Sequence, residues 1–286
     1  MKKDDAQAKL DEAKKLGKFY TPKSVCELIV ALEDGDEVFD PACGAGVLLS
    51  YSKARKLFGQ DIDATSCDLA IENLKGRDVS IYCGDTLKYT HTPRVDCVIA
   101  NPPFSLKWNA PKYWRYGDIT PPNKAADWAF VQIALWCAPR AVFVMFPGAL
   151  YRSGRERLIR GELVLKNKVA TVIQLPPNLF EQTSIATAVV VFKQSKDVFF
   201  LDATNLDLKD VPGIVTKREP IKNVAALVTY KEIVARDYSL SVSSYVEQET
   251  QREQIDIDAL EAEIKNLHES YIEKSNELDA LIAELK

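Results

Sequence analysis

A chain of 286 residues, 47% hydrophobic and 27% charged, is long enough for one large α/β domain with an appendage. It has no run of about 18 uninterrupted apolar residues, and Met1-Lys2-Lys3-Asp4-Asp5 opens without the apolar segment of a secretory signal, so no membrane and a cytoplasmic location are expected. Its six cysteines (Cys26, Cys43, Cys67, Cys83, Cys97, Cys137) form no Cys-x-x-Cys pair, which argues against a zinc site or a disulfide framework and makes metal-free chemistry the expectation.

The net charge of −4 is unevenly spread. From Glu247 to Lys286 there are twelve acidic and four basic residues, which leaves residues 1–246 at +4. A mildly basic body is compatible with a nucleic-acid substrate, though far from the footprint of a stand-alone DNA binder.

A polar, helix-prone leader fills residues 1–17. Phe19-Tyr20-Thr21-Pro22 follows and starts a helix predicted over Val25–Leu32; its aromatic residues are candidates to cover a cofactor or to staple the helix. A strand over Glu37–Asp40 runs into Pro41-Ala42-Cys43-Gly44-Ala45-Gly46 and a helix over Val47–Leu57. Glycines at 44 and 46 allow a ligand close to the backbone, beside the unpaired N–H groups of a helix start. Asp40, Pro41, Cys43, Gly44 and Gly46 are therefore the cofactor candidates of this turn.

One strand later (Lys56–Asp61), Asp61 stands where an acid grips ribose hydroxyls, and Ile62 is placed to lie on an adenine face. After a helix over Thr65–Leu74 and a strand over Val79–Cys83, Asp85 is either an acceptor for the adenine amine or a turn residue. The GxGxxG fingerprint and the Walker lysine are both missing. A nucleoside carrying an amino acid fits better than NAD or ATP.

The strand Val95–Ala100 ends in Asn101-Pro102-Pro103-Phe104. Two prolines stiffen this tetrapeptide, so the Asn101 side-chain oxygen and the Pro102 carbonyl can accept the hydrogens of one amine while a planar base stacks on Phe104. Residues 105–123, with Lys107, Trp108, Lys112, Tyr113, Trp114, Arg115 and Tyr116, read as a mobile lid over DNA phosphates and the extruded base, or else as a packed structural excursion. A nearly apolar helix over Ala125–Ala138, strands Ala141–Pro147, Val169–Leu175 and Ala188–Lys193, a helix Arg155–Leu165 and an edge strand Val198–Asp202 complete a doubly wound, mostly parallel sheet. Ile257, Leu260, Ile264, Leu267, Tyr271, Lys274, Leu278, Leu281 and Leu285 keep an unbroken 3-4 spacing, the pattern of a coiled coil with Lys274 setting register.

With Phe-Tyr-Thr-Pro (19–22), Asp-Pro-Ala-Cys-Gly-Ala-Gly (40–46), Gly-Gln-Asp (59–61), Gly-Asp-Thr-Leu (84–87), Asn-Pro-Pro-Phe (101–104), Leu-Pro-Pro-Asn-Leu-Phe (175–180) and Asp-Tyr-Ser-Leu-Ser (237–241), the chain resembles the DNA adenine N6-methyltransferases dependent on S-adenosylmethionine, specifically the modification subunit of type I restriction-modification systems. The resemblance covers roughly residues 17–246. It departs from the family in the near absence of a large helical region before residue 19 and in length.

The resemblance implies a Rossmann-like S-adenosylmethionine-dependent methyltransferase sheet, with Tyr20, Thr21, Gly44, Gly46, Asp61 and Asp85 on the cofactor and Asn101, Pro102 and Phe104 on a flipped adenine. It divides the chain into a leader (1–17), a catalytic domain (18–204), a connecting segment (205–246) and a coiled-coil tail (247–286). Double-stranded DNA, a specificity subunit docked on the tail, a second copy of the chain and a restriction subunit are the partners considered. The alternatives are methylation of an RNA base amine or a protein glutamine by the same clamp, or a non-catalytic assembly subunit.

Overall fold

The computed structural model describes residues 21–88, 92–180, 186–247 and 257–284. In chain order its elements are α1 (Lys23–Leu32), β1 (Glu37–Asp40), α2 (Val47–Tyr51), β2 (Lys56–Asp61), α3 (Ala64–Asn73), β3 (Asp78–Cys83), β4 (Cys97–Ala100), α4 (Asp127–Cys137), β5 (Arg140–Met145), α5 (Arg155–Leu165), β6 (Val169–Gln174), β7 (Ala188–Phe192), β8 (Val198–Asp202), α6 (Val211–Lys217), β9 (Ala225–Val228), α7 (Tyr230–Ala235) and α8 (Ile257–Glu284).

Strand order in the single sheet is β3-β2-β1-β4-β5-β7-β6-β8-β9. The β1–β5 pairings are parallel, and β7 runs antiparallel between β5 and β6. Alternate residues enter opposite cores. In β5, Ala141, Phe143 and Met145 face the core built with α4 and α5, whereas Val142 and Val144 face the one built with α1, α2, α3 and α6. Strands apolar on both faces are what a sheet covered by helices on both sides requires.

Because β1 to β5 are parallel, Asp40, Asp61, Cys83, Ala100 and Met145 end at one edge of the sheet, the edge where open α/β sheets hold ligands.

Three expectations need correction. The helix foreseen over Val47–Leu57 stops at Tyr51, because Lys56 and Leu57 pair with Glu37 and Val38 in the sheet. The strand Val198–Asp202 is interior, between β6 and β9. Residues 205–246, expected as a connection, contain α6, β9 and α7. Among the described residues no helix is long and apolar enough to cross a membrane.

A second compact unit begins at Glu249. Its described part is the 28-residue helix α8, on which Ile264, Leu267, Tyr271 and Leu278 are 57–70% exposed.

Candidate active site

The turn after β1 is drawn against the tip of β2 by hydrogen bonds. Asp61 Oδ2 accepts the Gly44 N–H at 2.8 Å, Oδ1 accepts the Asp63 N–H at 2.9 Å, and the Cys43 N–H donates to the Gln60 carbonyl at 2.9 Å. Both glycines are left-handed, with φ of 52° at Gly44 and 76° at Gly46, but for different reasons. A Cβ on Gly46 would meet Leu74 Cδ1 at 3.0 Å and Ala70 Cβ at 3.2 Å, so this glycine lets α3 pack close. A Cβ on Gly44 would meet nothing within 4 Å. The space above Gly44 is thus free for a ligand, next to a carboxylate whose oxygens keep lone pairs for hydroxyl donors.

Asp40 lies beneath, 2% exposed, accepting the Ala42 N–H at 3.0 Å. Burial pushes its carboxyl up to about 8; the Ala42 N–H opposes the shift and the Asp61 charge adds to it. Pro41 is tied to the third strand end by its carbonyl, which accepts the Thr86 hydroxyl at 2.6 Å. Asp85 serves its own turn, accepting the Leu87 N–H at 3.0 Å and lying 3.4 Å from Lys88 Nζ. Ile62 is 63% exposed beside Asp61. Cys43 is buried against β2. Phe19 and Tyr20 fall outside the described residues.

At the tip of β4 the Asn101 amide nitrogen donates to the Thr21 hydroxyl at 3.0 Å, which joins the segment before α1 to the tetrapeptide. Its oxygen is enclosed and has no hydrogen-bond partner among the described residues. Leaving such an acceptor unmet costs about 1–3 kcal/mol, which marks Asn101 Oδ1 as an atom suited to a donor from outside the chain. Phe104 closes the turn within an aromatic cluster, its ring centroid 6.4 Å from Phe146 and 6.2 Å, edge-on, from Phe180. Pro102 is buried and Pro103 half-buried.

Residues 105–124 pack as a structural excursion, against their reading as a lid. The Trp114 indole donates to Gln132 Oε1 at 2.6 Å, Gln132 donates to the Ile119 carbonyl at 3.0 Å, and the Trp108 indole donates to the Pro122 carbonyl at 2.9 Å. Trp108, Trp114, Tyr116 and Trp136 meet edge to face with centroids 5.1–5.8 Å apart. Gln132 lies midway along α4 and Trp136 at its far end. The loop therefore runs along α4, away from the strand tips where a lid would act. Its apolar side chains are mostly covered, while Tyr113 at the tip is 79% exposed.

Sequence reasoning missed three contributors. Thr86, Phe146 and Asp127 act through partners remote in the chain. Thr86 sits inside the Gly-Asp-Thr-Leu string without its role being legible there, and no local motif flags the other two; the Asp127 carboxylate accepts the Ser105 N–H at 3.2–3.3 Å.

Sheet order, the glycine turn against an acid at the second strand tip, and an Asn-Pro-Pro-Phe turn at the fourth define a class I S-adenosylmethionine-dependent methyltransferase fold. A Listeria monocytogenes protein described as such a methyltransferase shares the fold alone, at 16% identity and a TM-score of 0.54 over 69% of this chain and 71% of that one. Residues 6–254 match the N-6 DNA Methylase family model, and the chain belongs to that family.

Its relatives include the type I restriction enzyme MpnII methylase subunit of Mycoplasma pneumoniae, 32% identical over 94% of this chain and 60% of that protein. The MjaVII methylase subunit of Methanocaldococcus jannaschii is 31% identical over 94% and 55%. The chain thus spans 55–60% of the length of these curated relatives. The solved type I methyltransferase subunit of Streptococcus thermophilus superposes with a TM-score of 0.74 at 28% identity, over 80% of this chain and 60% of that one.

Proposed function

We propose that this chain transfers a methyl group from S-adenosylmethionine to N6 of adenine in DNA, as the modification subunit of a type I restriction-modification complex whose target is read by a separate specificity subunit. One observation carries the reading: at the tip of β4 the Asn101 carboxamide is held through its nitrogen by Thr21 while its oxygen lacks a partner among the described residues. That leaves one fixed acceptor beside an aromatic ring, which is what an exocyclic amine on a planar base requires.

The turn at 40–46 would hold the cofactor, with the Gly44 backbone against it, Asp61 on its ribose, Ile62 on its adenine face and Asp85 near its base amine. Thr21 joins the segment before α1 to the clamp. Bound there, S-adenosylmethionine supplies an electrophilic sulfonium methyl.

The chain's own work is to present the nucleophile. An aromatic amine is weakly nucleophilic because its lone pair is delocalised into the ring. Accepting its hydrogens at Asn101 Oδ1 and the Pro102 carbonyl favours a pyramidal nitrogen and aims the lone pair, while Phe104 fixes the base plane. No covalent bond to the protein is needed.

The test is tritiated-methyl transfer to DNA by the chain assembled with its specificity subunit. Asn101→Ala should lose about 100- to 1000-fold in turnover, the effect of removing one preorganised polar contact, with cofactor affinity unchanged by calorimetry. Wild-type turnover in that variant refutes the assignment. Labelled RNA or glutamine, with unlabelled DNA, would place the same clamp on another amine.

A further inference from the structure

We propose that Asp127 is a positioning residue for the base clamp, fixing the rotation of the Asn101–Phe104 turn through the Ser105 N–H. The inference rests on the reading of that turn as the base-binding element.

Asp127 opens α4, a helix otherwise apolar on nearly every face, yet it is a carboxylate only 4% exposed. Burial of this kind costs free energy unless the charge is met by hydrogen bonds. The place of Asp127 in the first turn of α4, beside its own backbone N–H, meets part of that cost; both carboxylate oxygens also lie within 3.3 Å of the Ser105 nitrogen, 22 residues back.

Ser105 directly follows Phe104 and has a φ of 51°, a left-handed conformation that is unfavourable for a residue bearing a side chain. The bend turns the chain onto the start of α4, where the Leu106 carbonyl accepts the Ala126 N–H at 2.9 Å and the Asn123 carbonyl accepts the Trp108 N–H at 3.0 Å. The direction in which Phe104 leaves the tetrapeptide is therefore set at the residue that Asp127 holds.

A second line of contacts meets the clamp from the other side. The Arg152 guanidinium lies 5.3 Å from the ring centre of Phe146, and Phe146 touches Phe104. Burial pushes the Asp127 carboxyl up, the Ser105 N–H and the Arg152 charge oppose that shift, and Arg152 lies 3.9 Å from Glu156. Asp127, Ser105, Phe104, Phe146 and Arg152 thus form a closed circuit around the clamp. Methyl transfer depends on angstrom-level placement of the nucleophile, so a group that sets this rotation acts on turnover without touching the base.

Hydrogen exchange of segment 101–108 in the full chain without DNA, transfer kinetics of the assembled complex, and the fluorescence of 2-aminopurine at the target position test the proposal together. Asp127→Ala should speed exchange of 101–108 at least tenfold while segment 40–46 stays protected. It should lower kcat about 10- to 100-fold with KM for the cofactor unchanged, and alter the 2-aminopurine signal. Asp127→Asn keeps an acceptor oxygen and should restore most of each.

Wild-type exchange and kcat in Asp127→Ala overturn the proposal, as does an Asn variant as impaired as the Ala variant. Should Asp127→Ala fail to fold, slow exchange of the Ser105 amide in the wild type supports the proposal and unprotected exchange there overturns it. Exchange is read without DNA, so a wild-type complex that transfers no methyl group sinks the functional reading and leaves the grip on Ser105 to be judged by exchange.

Discussion

Asp40 is a buried carboxyl whose chemistry departs far from its exposed form, and the departure has a sign that can be worked out. Burial lifts its proton affinity from the usual 3.8 to about 8, so between those limits the folded chain holds a proton that the unfolded chain releases. Stability from this group is complete below pH 4 and is lost as pH rises through 8, at no more than about 1.4 kcal/mol per pH unit. Burial shifts Asp127, Glu33 and Glu156 in the same direction. Thermal melts of the wild type and Asp40→Asn across pH 5–9 separate the contribution of Asp40. The wild type should lose stability relative to the variant as pH rises, and a constant difference between them contradicts the buried, protonated carboxyl. Nothing in the sequence around Asp40 shows this shift; it arises from the packing of β1 under the glycine turn.

The strand-turn elements account for how much could be read in advance. β4 and β7 are continuous apolar runs, β1 and β2 have apolar centres between charged ends and lead into turn motifs, and each was legible for that reason. β9, Ala-Ala-Leu-Val, is apolar too but buried only at its two ends and followed by no turn motif, and α6 carries Pro212 and Gly213, which read as breakers. The motifs at the strand tips were legible as local strings, while the contacts that orient them were not. Asn101 meets Thr21 across 80 residues, and the indoles of 105–124 find acceptors on α4 and within the loop's own return that no spacing rule foretells. The two glycines after β1 look alike in sequence but should fail differently. Gly46→Ala forces a Cβ into Leu74 and Ala70 on top of its left-handed strain; overpacking of roughly 1–3 kcal/mol should lower the melting temperature by several degrees, at roughly 2–4 °C per kcal/mol. Gly44→Ala carries the same left-handed strain but meets open space, so its melt should move less than that of Gly46→Ala, while the rise in melting temperature on adding S-adenosylmethionine should largely vanish. Equal effects of the two substitutions on cofactor binding would remove Gly44 from the proposed cofactor surface.

Charge and apolar surface differ between the two units of the chain. Residues 1–246 carry +4 and the tail −8, so the tail is repelled by a polyanion and is poorly suited to contact DNA. It is a separate compact unit from Glu249 onward, a 28-residue helix with Ile264, Leu267, Tyr271 and Leu278 exposed along one 3-4 stripe. Helices in water draw most of their stability from packing an apolar face, so this stripe calls for a covering helix, and Lys274 within it would discriminate among registers. Truncation after Gln248 should therefore leave the melting temperature of the first unit and its response to S-adenosylmethionine intact; at 100 times its dissociation constant the cofactor stabilises by about 2.7 kcal/mol in either form. The same truncation should abolish co-purification with the specificity subunit and bring site-specific methylation to background. Leu267→Asp with Leu278→Asp in the full-length chain should reproduce that loss, since two charges on the stripe exclude a partner helix without shortening the chain. A truncated chain that still co-purifies and methylates at the wild-type rate would move the subunit contact onto the first unit and leave the exposed stripe without a role in assembly.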